Sequence, residues 1–148
     1  AGGIAACQNL VARVIEFFQN QWGLPTVLTG TRAAHEQELL TAVLKKCRAA
    51  PLDLTGRLNL KELGALISKA RLFFGMDSAP MHLAAAVNTP AVALFGPTAP
   101  WRTGPYGPGH VVVRKGLTCS PCFRRTCDVG IRCMEEMTVE DVMAKVPL

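Results

Sequence analysis

Residues 71–87 read RLFFGMDSAPMHLAAAV and place an apolar run, a turn and an alanine-rich segment directly after one another. The apolar run predicts a buried strand that ends at Gly75, and the composition of 79–87 predicts a helix. Asp77 or Ser78 is placed to cap that helix, because short polar side chains accept hydrogen bonds from first-turn amides. A strand followed at once by a helix is the repeating unit of an α/β fold.

The same alternation continues in both directions from this stretch. Apolar periodicity predicts helices at 7–21, 33–48, 60–69 and 139–145, and strands at 26–29, 52–54, 91–95 and 111–113, the last at a sheet edge. Asn59 with Glu62 has the form of a capping box, and Thr138 with Asp141 offers a second cap. The chain is therefore predicted to have an α/β fold, with a parallel sheet and helices on both faces.

The composition is that of one folded domain over residues 1–148. Apolar residues make up 49% of the chain and charged residues 18%, which excludes intrinsic disorder. No apolar stretch approaches the roughly 18 residues of a membrane span, and no signal peptide opens the chain. Because the chain starts at Ala1 without an initiator Met, we expect a domain excised from a longer protein.

The net charge of +5 suits an anionic ligand better than a nucleic-acid duplex, which calls for a denser basic stripe. Basic residues cluster near the C-terminus, at Arg114, Lys115, Arg124, Arg125 and Arg132. This cluster is either a solvated surface or a loop that faces an anion.

The loop after the strand at 71–74 predicts an anion site. In α/β sheets, ligands bind outside the carboxyl ends of the strands. There the free amides of Ser78 and Ala79 and the positive end of the helix dipole coincide. His82 lies one turn along, on the face shared with Ser78, within reach of a phosphate oxygen or a sugar hydroxyl. The alternative is that Asp77 and Ser78 only cap the helix and that His82 packs under a loop.

Two other loops follow predicted strands at the same edge. The first is Gly96-Pro97-Thr98, whose small residues let the backbone approach a ligand closely. The second runs from Gly30 to Glu36, where Glu36, or else Glu38, can accept hydrogen bonds from a ribose diol. The alternative for Glu36 is an ordinary first-turn glutamate favoured by the helix dipole.

The cysteines leave three alternatives open. Cys119, Cys122, Cys127 and Cys133 are close enough in sequence for a four-thiolate zinc site, for two disulfides, or for reduced thiols in an ordered loop. Cys7 and Cys47 lie in predicted helices and are typical of small core residues.

Three motifs together resemble glycosyltransferase family 9, the ADP-heptose:lipopolysaccharide heptosyltransferases. They are residues 77–86 (DSAPMHLAAA), the pair Thr89-Pro90, and residues 93–98 (ALFGPT). The segments 30–36 and 70–72 and the four-cysteine loop fit the same family. The resemblance implies the C-terminal, nucleotide-sugar-binding half of a GT-B glycosyltransferase, in which two Rossmann-like domains face each other across a cleft. Transfer in such enzymes is inverting and uses no metal and no cofactor.

The resemblance also implies roles for particular residues. The diphosphate and heptose of the donor would be held by Asp77, Ser78, Ala79 and His82, the ribose by Glu36, and the adenine by backbone near Leu58. No catalytic residue is expected in this chain, because the family's general base and its Thr/Lys motif should lie upstream of Ala1. We therefore expect the isolated chain to bind ADP or ADP-heptose weakly at most and to transfer no sugar.

The partners that the resemblance implies are the ADP-heptose donor, a lipopolysaccharide core acceptor and an N-terminal GT-B domain. It implies a cytoplasmic location, with peripheral contact at the inner membrane, and no nucleic acid. Two other functions remain as alternatives: a glycosyltransferase that uses another nucleotide sugar, and a non-catalytic nucleotide-binding module.

Overall fold

Helices and short strands alternate along the chain in the computed structural model, which describes residues 2–146, with side chains from Cys7 onward. The helices are α1 (Gly2–Trp22), α2 (Ala34–Lys46), α3 (Leu60–Lys69), α4 (Ala79–Ala86), α5 (Pro100–Thr103), α6 (Arg132–Glu135) and α7 (Val139–Met143). The strands are β1 (Val27–Leu28), β2 (Leu52–Asp53), β3 (Phe73–Met76), β4 (Ala91–Leu94) and β5 (Val111–Val113). Contacts divide the chain into two compact units, Ala1–Leu58 and Asn59–Leu148. A single domain over 1–148 stays a prediction.

The first unit contains two packed helices and a short parallel pair of strands. Val27 pairs with Leu52 and Leu28 with Asp53, so β1 and β2 run parallel. Helices α1 and α2 pack against each other. The core between these elements consists of Ala12, Ile15, Leu28 and Val43.

The second unit contains a three-stranded parallel sheet in the order β3-β4-β5. All four residues of β4 are buried, as expected for the central strand of a parallel sheet, and β5 lies at an edge as predicted. Helix α4 packs on β3 and β4 through buried Met81 and Ala84. The buried Thr89 hydroxyl donates to the Ile67 carbonyl at 2.7 Å, which ties the loop before β4 to α3. The predicted α/β class with parallel strand pairing is confirmed.

The capping boxes are both present. The Asn59 side chain accepts from the Glu62 amide while the Glu62 side chain accepts from the Asn59 amide, and Thr138 and Asp141 make the reciprocal pair. These caps fix the start of α3 and of α7 at the predicted residues.

The predicted bounds of the strand at 71–74 are wrong by two residues at each end, since β3 runs from Phe73 to Met76 and does not stop at Gly75. Strand β3 continues through Gly75 and Met76, which pair with Ala93 and Leu94. Gly75 makes no turn there, and a Cβ at this position would lie 2.8 Å from ring carbons of Phe73, so the ring would have to shift. The strand therefore carries its last residue directly to the loop that contains Asp77.

Helices α5 and α6 are not predicted from the sequence, because a four-residue helix is too short to show apolar periodicity. Within residues 2–146, no helix is both long enough and apolar enough to cross a bilayer.

Candidate functional site

The turn between β3 and α4 leaves the first amides of the helix unoccupied by side chains. Ser78 is the N-cap residue, but its hydroxyl donates to the Met76 carbonyl at 3.0 Å and makes no cap hydrogen bond. The prediction that Asp77 or Ser78 caps α4 with its side chain is therefore wrong. Met81 and His82 both donate their amides to the Ser78 carbonyl. The amides of Ser78 and Ala79 have no hydrogen-bond partner in the part of the chain that the structure describes.

The Asp77 carboxylate is held by a residue far along the chain. Thr103, the last residue of α5, donates its hydroxyl to Asp77 Oδ2 at 2.8 Å. Asp77 is half-buried and makes no other hydrogen bond or ion pair within residues 2–146. One carboxylate oxygen thus accepts from Thr103, and the other is left as an acceptor in the loop that leads to Ser78 and Ala79.

A shallow cavity of about 110 Å³ opens at the carboxyl ends of β3 and β4. Its walls come from the loop after β3, the loop after β4 and helix α6. The lining residues are Met76, Asp77, Leu94, Gly96, Pro97, Thr98 and Met134. The structure therefore brings together the Asp77 loop and the Gly96-Pro97-Thr98 loop, as the sequence predicts. Sequence reasoning missed Met134 and Thr103, since both belong to short helices without a periodic signal.

Gly96 is where α6 closes against the cavity. A Cβ on Gly96 would lie 2.5 Å from Met134 Sδ and 3.1 Å from Cys133 Sγ. The Ser120 hydroxyl donates to the Gly96 carbonyl at 2.6 Å, and the Cys122 amide donates to the Pro97 carbonyl at 3.0 Å. The cysteine-containing segment therefore supports one wall of the cavity from outside.

His82 is exposed on α4, one turn after Ser78. It does not pack under a loop, which removes that alternative. Ala79 is also exposed, so both residues are accessible to a ligand at the start of the helix. The arrangement offers two amide donors, an imidazole and a carboxylate acceptor, which are the groups that a phosphate linked to a hydroxylated sugar requires.

Glu36 lies in the first unit and is tied to its own loop. Thr31 donates both its amide, at 2.6 Å, and its hydroxyl, at 2.8 Å, to Glu36 Oε2. These two hydrogen bonds lower the pKa of Glu36, against a smaller opposing effect of burial. The carboxylate is therefore ionised at neutral pH and closes the Gly30–Glu36 loop, a role that neither alternative for this residue included.

Two other residues that the sequence singles out, Leu58 and Glu38, also lie in the first unit. Leu58 is half-buried directly before Asn59, the N-cap residue of α3, and Glu38 is exposed on α2. Glu36 and Leu58 belong to the first unit, whereas Asp77, Ser78, Ala79 and His82 belong to the second.

The six cysteines are free thiols, with Cys119, Cys122 and Cys127 exposed and Cys133 buried. Burial raises the pKa of the Cys133 thiol, and the neighbouring charges of Cys122, Cys119 and Cys127 raise it further. Among residues 2–146, no three His, Cys, Asp or Glu side chains lie close enough to hold a metal ion. Cys7 is half-buried on α1, and Cys47 is the half-buried residue that ends α2.

The match to known proteins agrees with this geometry. The model of glycosyltransferase family 9 (heptosyltransferase) matches residues 11–131. The chain belongs to glycosyltransferase family 9. Lipopolysaccharide heptosyltransferase 3 of Escherichia coli (strain K12) is 43% identical to this family 9 chain over 88 residues, which are 59% of the chain and 25% of that protein.

Two solved structures share the fold of this family 9 chain. The family 9 glycosyl transferase of Veillonella parvula has a TM-score of 0.76 at 24% identity and is matched over 93% of this chain and 39% of its own. The ADP-heptose lps heptosyltransferase II of E. coli has a TM-score of 0.63 at 27% identity, over 93% of this chain and 40% of its own. This chain thus spans well under half of the length of each of these three proteins.

Proposed function

We propose that this chain is the donor-binding part of a heptosyltransferase that moves heptose from ADP-heptose to the lipopolysaccharide inner core. The observation that carries the proposal is that the amides of Ser78 and Ala79 have no partner among the described residues, directly after Asp77, whose carboxylate lines the cavity. The relatives support the donor and the acceptor, since one is named an ADP-heptose lps heptosyltransferase and another a lipopolysaccharide heptosyltransferase.

In the proposed reaction, an acceptor hydroxyl attacks the anomeric carbon of the heptose. The new bond forms as the bond from that carbon to the β-phosphate oxygen breaks on the opposite face, so the configuration inverts. The acceptor proton passes to a general base, and ADP leaves. Negative charge grows on the β-phosphate in the transition state, so donors aimed at that oxygen lower the barrier.

The groups on this chain supply part of that stabilisation. A helix dipole at a partly buried anion contributes up to about 2 kcal/mol. Each charge-assisted hydrogen bond to a phosphate contributes about 1.5–3 kcal/mol. Two amides and His82 therefore provide several kcal/mol, below the roughly 8–23 kcal/mol of a complete enzyme. For this reason we expect binding without turnover from this chain alone.

The nucleoside end of the donor is assigned to the first unit. We assign the ribose to Glu36, whose Oε1 is the carboxylate oxygen not used by Thr31, and the adenine to backbone near Leu58. The general base and the Thr/Lys motif are assigned to an N-terminal GT-B domain. The reaction is assigned to the cytoplasmic face of the inner membrane. The transfer is proposed to need no metal ion.

Titration calorimetry of the purified chain tests the proposal. The chain should bind ADP and ADP-heptose and should bind UDP more weakly. The substitution His82→Ala should lower the affinity for ADP by at least about tenfold, the value of one lost charge-assisted hydrogen bond to a phosphate.

Ser68→Ala is the control, because Ser68 is exposed on α3, in the same unit as His82, and is assigned no ligand contact. Binding of UDP in preference to ADP would contradict the donor assignment. Equal ADP affinity in the native chain and the His82 variant would remove His82 from the site.

A further inference from the structure

The hydrogen bond between Thr103 and Asp77 fixes an acceptor in the middle of an anion site. Asp77 lines the cavity and directly precedes Ser78 and Ala79 in the chain, so a phosphate bound by their amides would be repelled by its negative charge. The carboxylate therefore favours binding only where it accepts hydrogen bonds from hydroxyl groups joined to that phosphate. A nucleoside diphosphate sugar supplies such hydroxyls, because its sugar is attached to the β-phosphate. A free nucleoside diphosphate ends at the β-phosphate and has no hydroxylated group there.

Thr103 is held firmly enough to orient its partner. Its amide donates to the Ala99 carbonyl at 3.0 Å, and Ala99 is buried. The Gly104 amide donates to the Pro100 carbonyl at 2.8 Å, and a Cβ on Gly104 would collide with that same carbonyl. Both ends of α5 are therefore fixed, and the β-branched side chain of Thr103 has little rotational freedom.

The hydroxyl proton of Thr103 has two possible acceptors. Asp77 Oδ2 lies at 2.8 Å and the Ala99 carbonyl oxygen at 3.3 Å. The proton goes to the carboxylate, because a charged acceptor at the shorter distance makes the stronger bond. One oxygen of Asp77 is thereby committed to the protein, and the orientation of the second is set.

We propose that Thr103 is a positioning residue that orients Asp77 to accept hydroxyl groups of the donor sugar, and so determines how well the site distinguishes a nucleotide sugar from the free nucleotide. This inference rests on the proposed function and adds a residue that touches neither phosphate nor nucleoside.

The test compares the affinity of three forms of the chain for ADP-heptose and for ADP by calorimetry. Thr103→Val keeps the shape of the side chain and removes the donor. Its affinity for ADP-heptose should fall by about three- to tenfold, while its affinity for ADP stays within about twofold of native. Thr103→Ser restores the hydroxyl and should restore the native ratio. Thermal unfolding of each variant monitors the fold, and Thr103→Ala replaces the valine variant if that one does not fold.

The outcomes separate the two proposals. A native chain that binds neither ligand overturns the proposed function and this inference with it. A native chain that binds ADP-heptose more tightly than ADP, with an unchanged ratio in Thr103→Val, overturns the inference alone. Equal losses for ADP and ADP-heptose would show a merely structural role and would also overturn it, as would failure of serine to restore the ratio.

Discussion

The hydroxyl of Ser78 donates to the carbonyl oxygen of Met76 at 3.0 Å, although Ser78 occupies the N-cap position of α4. Asn59 occupies the same position in α3 and makes a complete capping box with Glu62. The two helices of one unit therefore begin in different ways. The first-turn amides of α3 are capped by side chains of its own sequence, whereas those of α4 have no side-chain cap and are open to a ligand.

This difference predicts unequal costs for removing the two cap residues. Asn59→Ala should lower the free energy of unfolding by about 1–2 kcal/mol, because a cap hydrogen bond is lost. Ser78→Ala should lower it by less than about 0.5 kcal/mol, because its side chain caps nothing. Urea unfolding of the two variants measures both values. Similar losses would mean that Ser78 caps α4 in solution.

Glu36 gives a prediction about pH. Hydrogen bonds from Thr31 hold the pKa of Glu36 below its ordinary value of 4.5. A lowered pKa in the folded state contributes stability that is present above the unfolded pKa and is lost as pH falls through the folded pKa. Glu36→Ala should therefore be less stable than the native chain by about 1 kcal/mol at pH 7, and the difference should shrink as the pH drops below 4.5.

Glu38→Ala is the control for that measurement, since Glu38 is exposed on the same helix. The free energy of unfolding of Glu38→Ala should equal that of the native chain at every pH. A difference between native and Glu36→Ala that grows on acidification would contradict the role of Thr31. The same two variants test the ribose assignment, because only the Glu36 variant should lose affinity for ADP.

Gly96 and Met134 form a packing pair at the cavity. Gly96→Ala should lower the free energy of unfolding by about 1–3 kcal/mol, because the added methyl group overlaps Met134 Sδ. In a Met134→Ala background the cost of Gly96→Ala should fall by at least about 1 kcal/mol, since the overlapping atoms are gone. A double-mutant cycle of urea unfolding measures this coupling. Additive costs would show that α6 does not close on Gly96.

The sequence predicts the parts of this fold that leave a local pattern. Alternating apolar runs locate the five strands, and the pairs Asn59–Glu62 and Thr138–Asp141 mark two helix starts. The role of two glycines could not be predicted, because Gly75 and Gly96 make room for side chains that pack on them, Phe73 and Met134. Gly75 looks like a turn residue in sequence and lies inside a strand.

The sequence predicts where the candidate site lies in the fold, but only some of the residues that form it. The Asp77 and Gly96 loops follow neighbouring strands of a parallel sheet, and the topology brings them to one edge. The partner of Asp77 could not be predicted, because Thr103 is 26 residues away on a helix too short to be periodic. The lack of a side-chain cap at Ser78 goes with the donation of its hydroxyl to the Met76 carbonyl, and residue type alone does not determine that.

The most direct measurement concerns the Ala79 amide. Ala79→Pro removes this donor at the first helical position, where proline fits, and the preceding residue already has the extended backbone that proline requires. Ala79→Ser keeps the amide and serves as the matched variant. If the start of α4 binds the diphosphate, calorimetry will give an ADP affinity at least about tenfold lower for Ala79→Pro and a native affinity for Ala79→Ser. Native ADP affinity in a folded Ala79→Pro chain would show that the phosphates bind elsewhere.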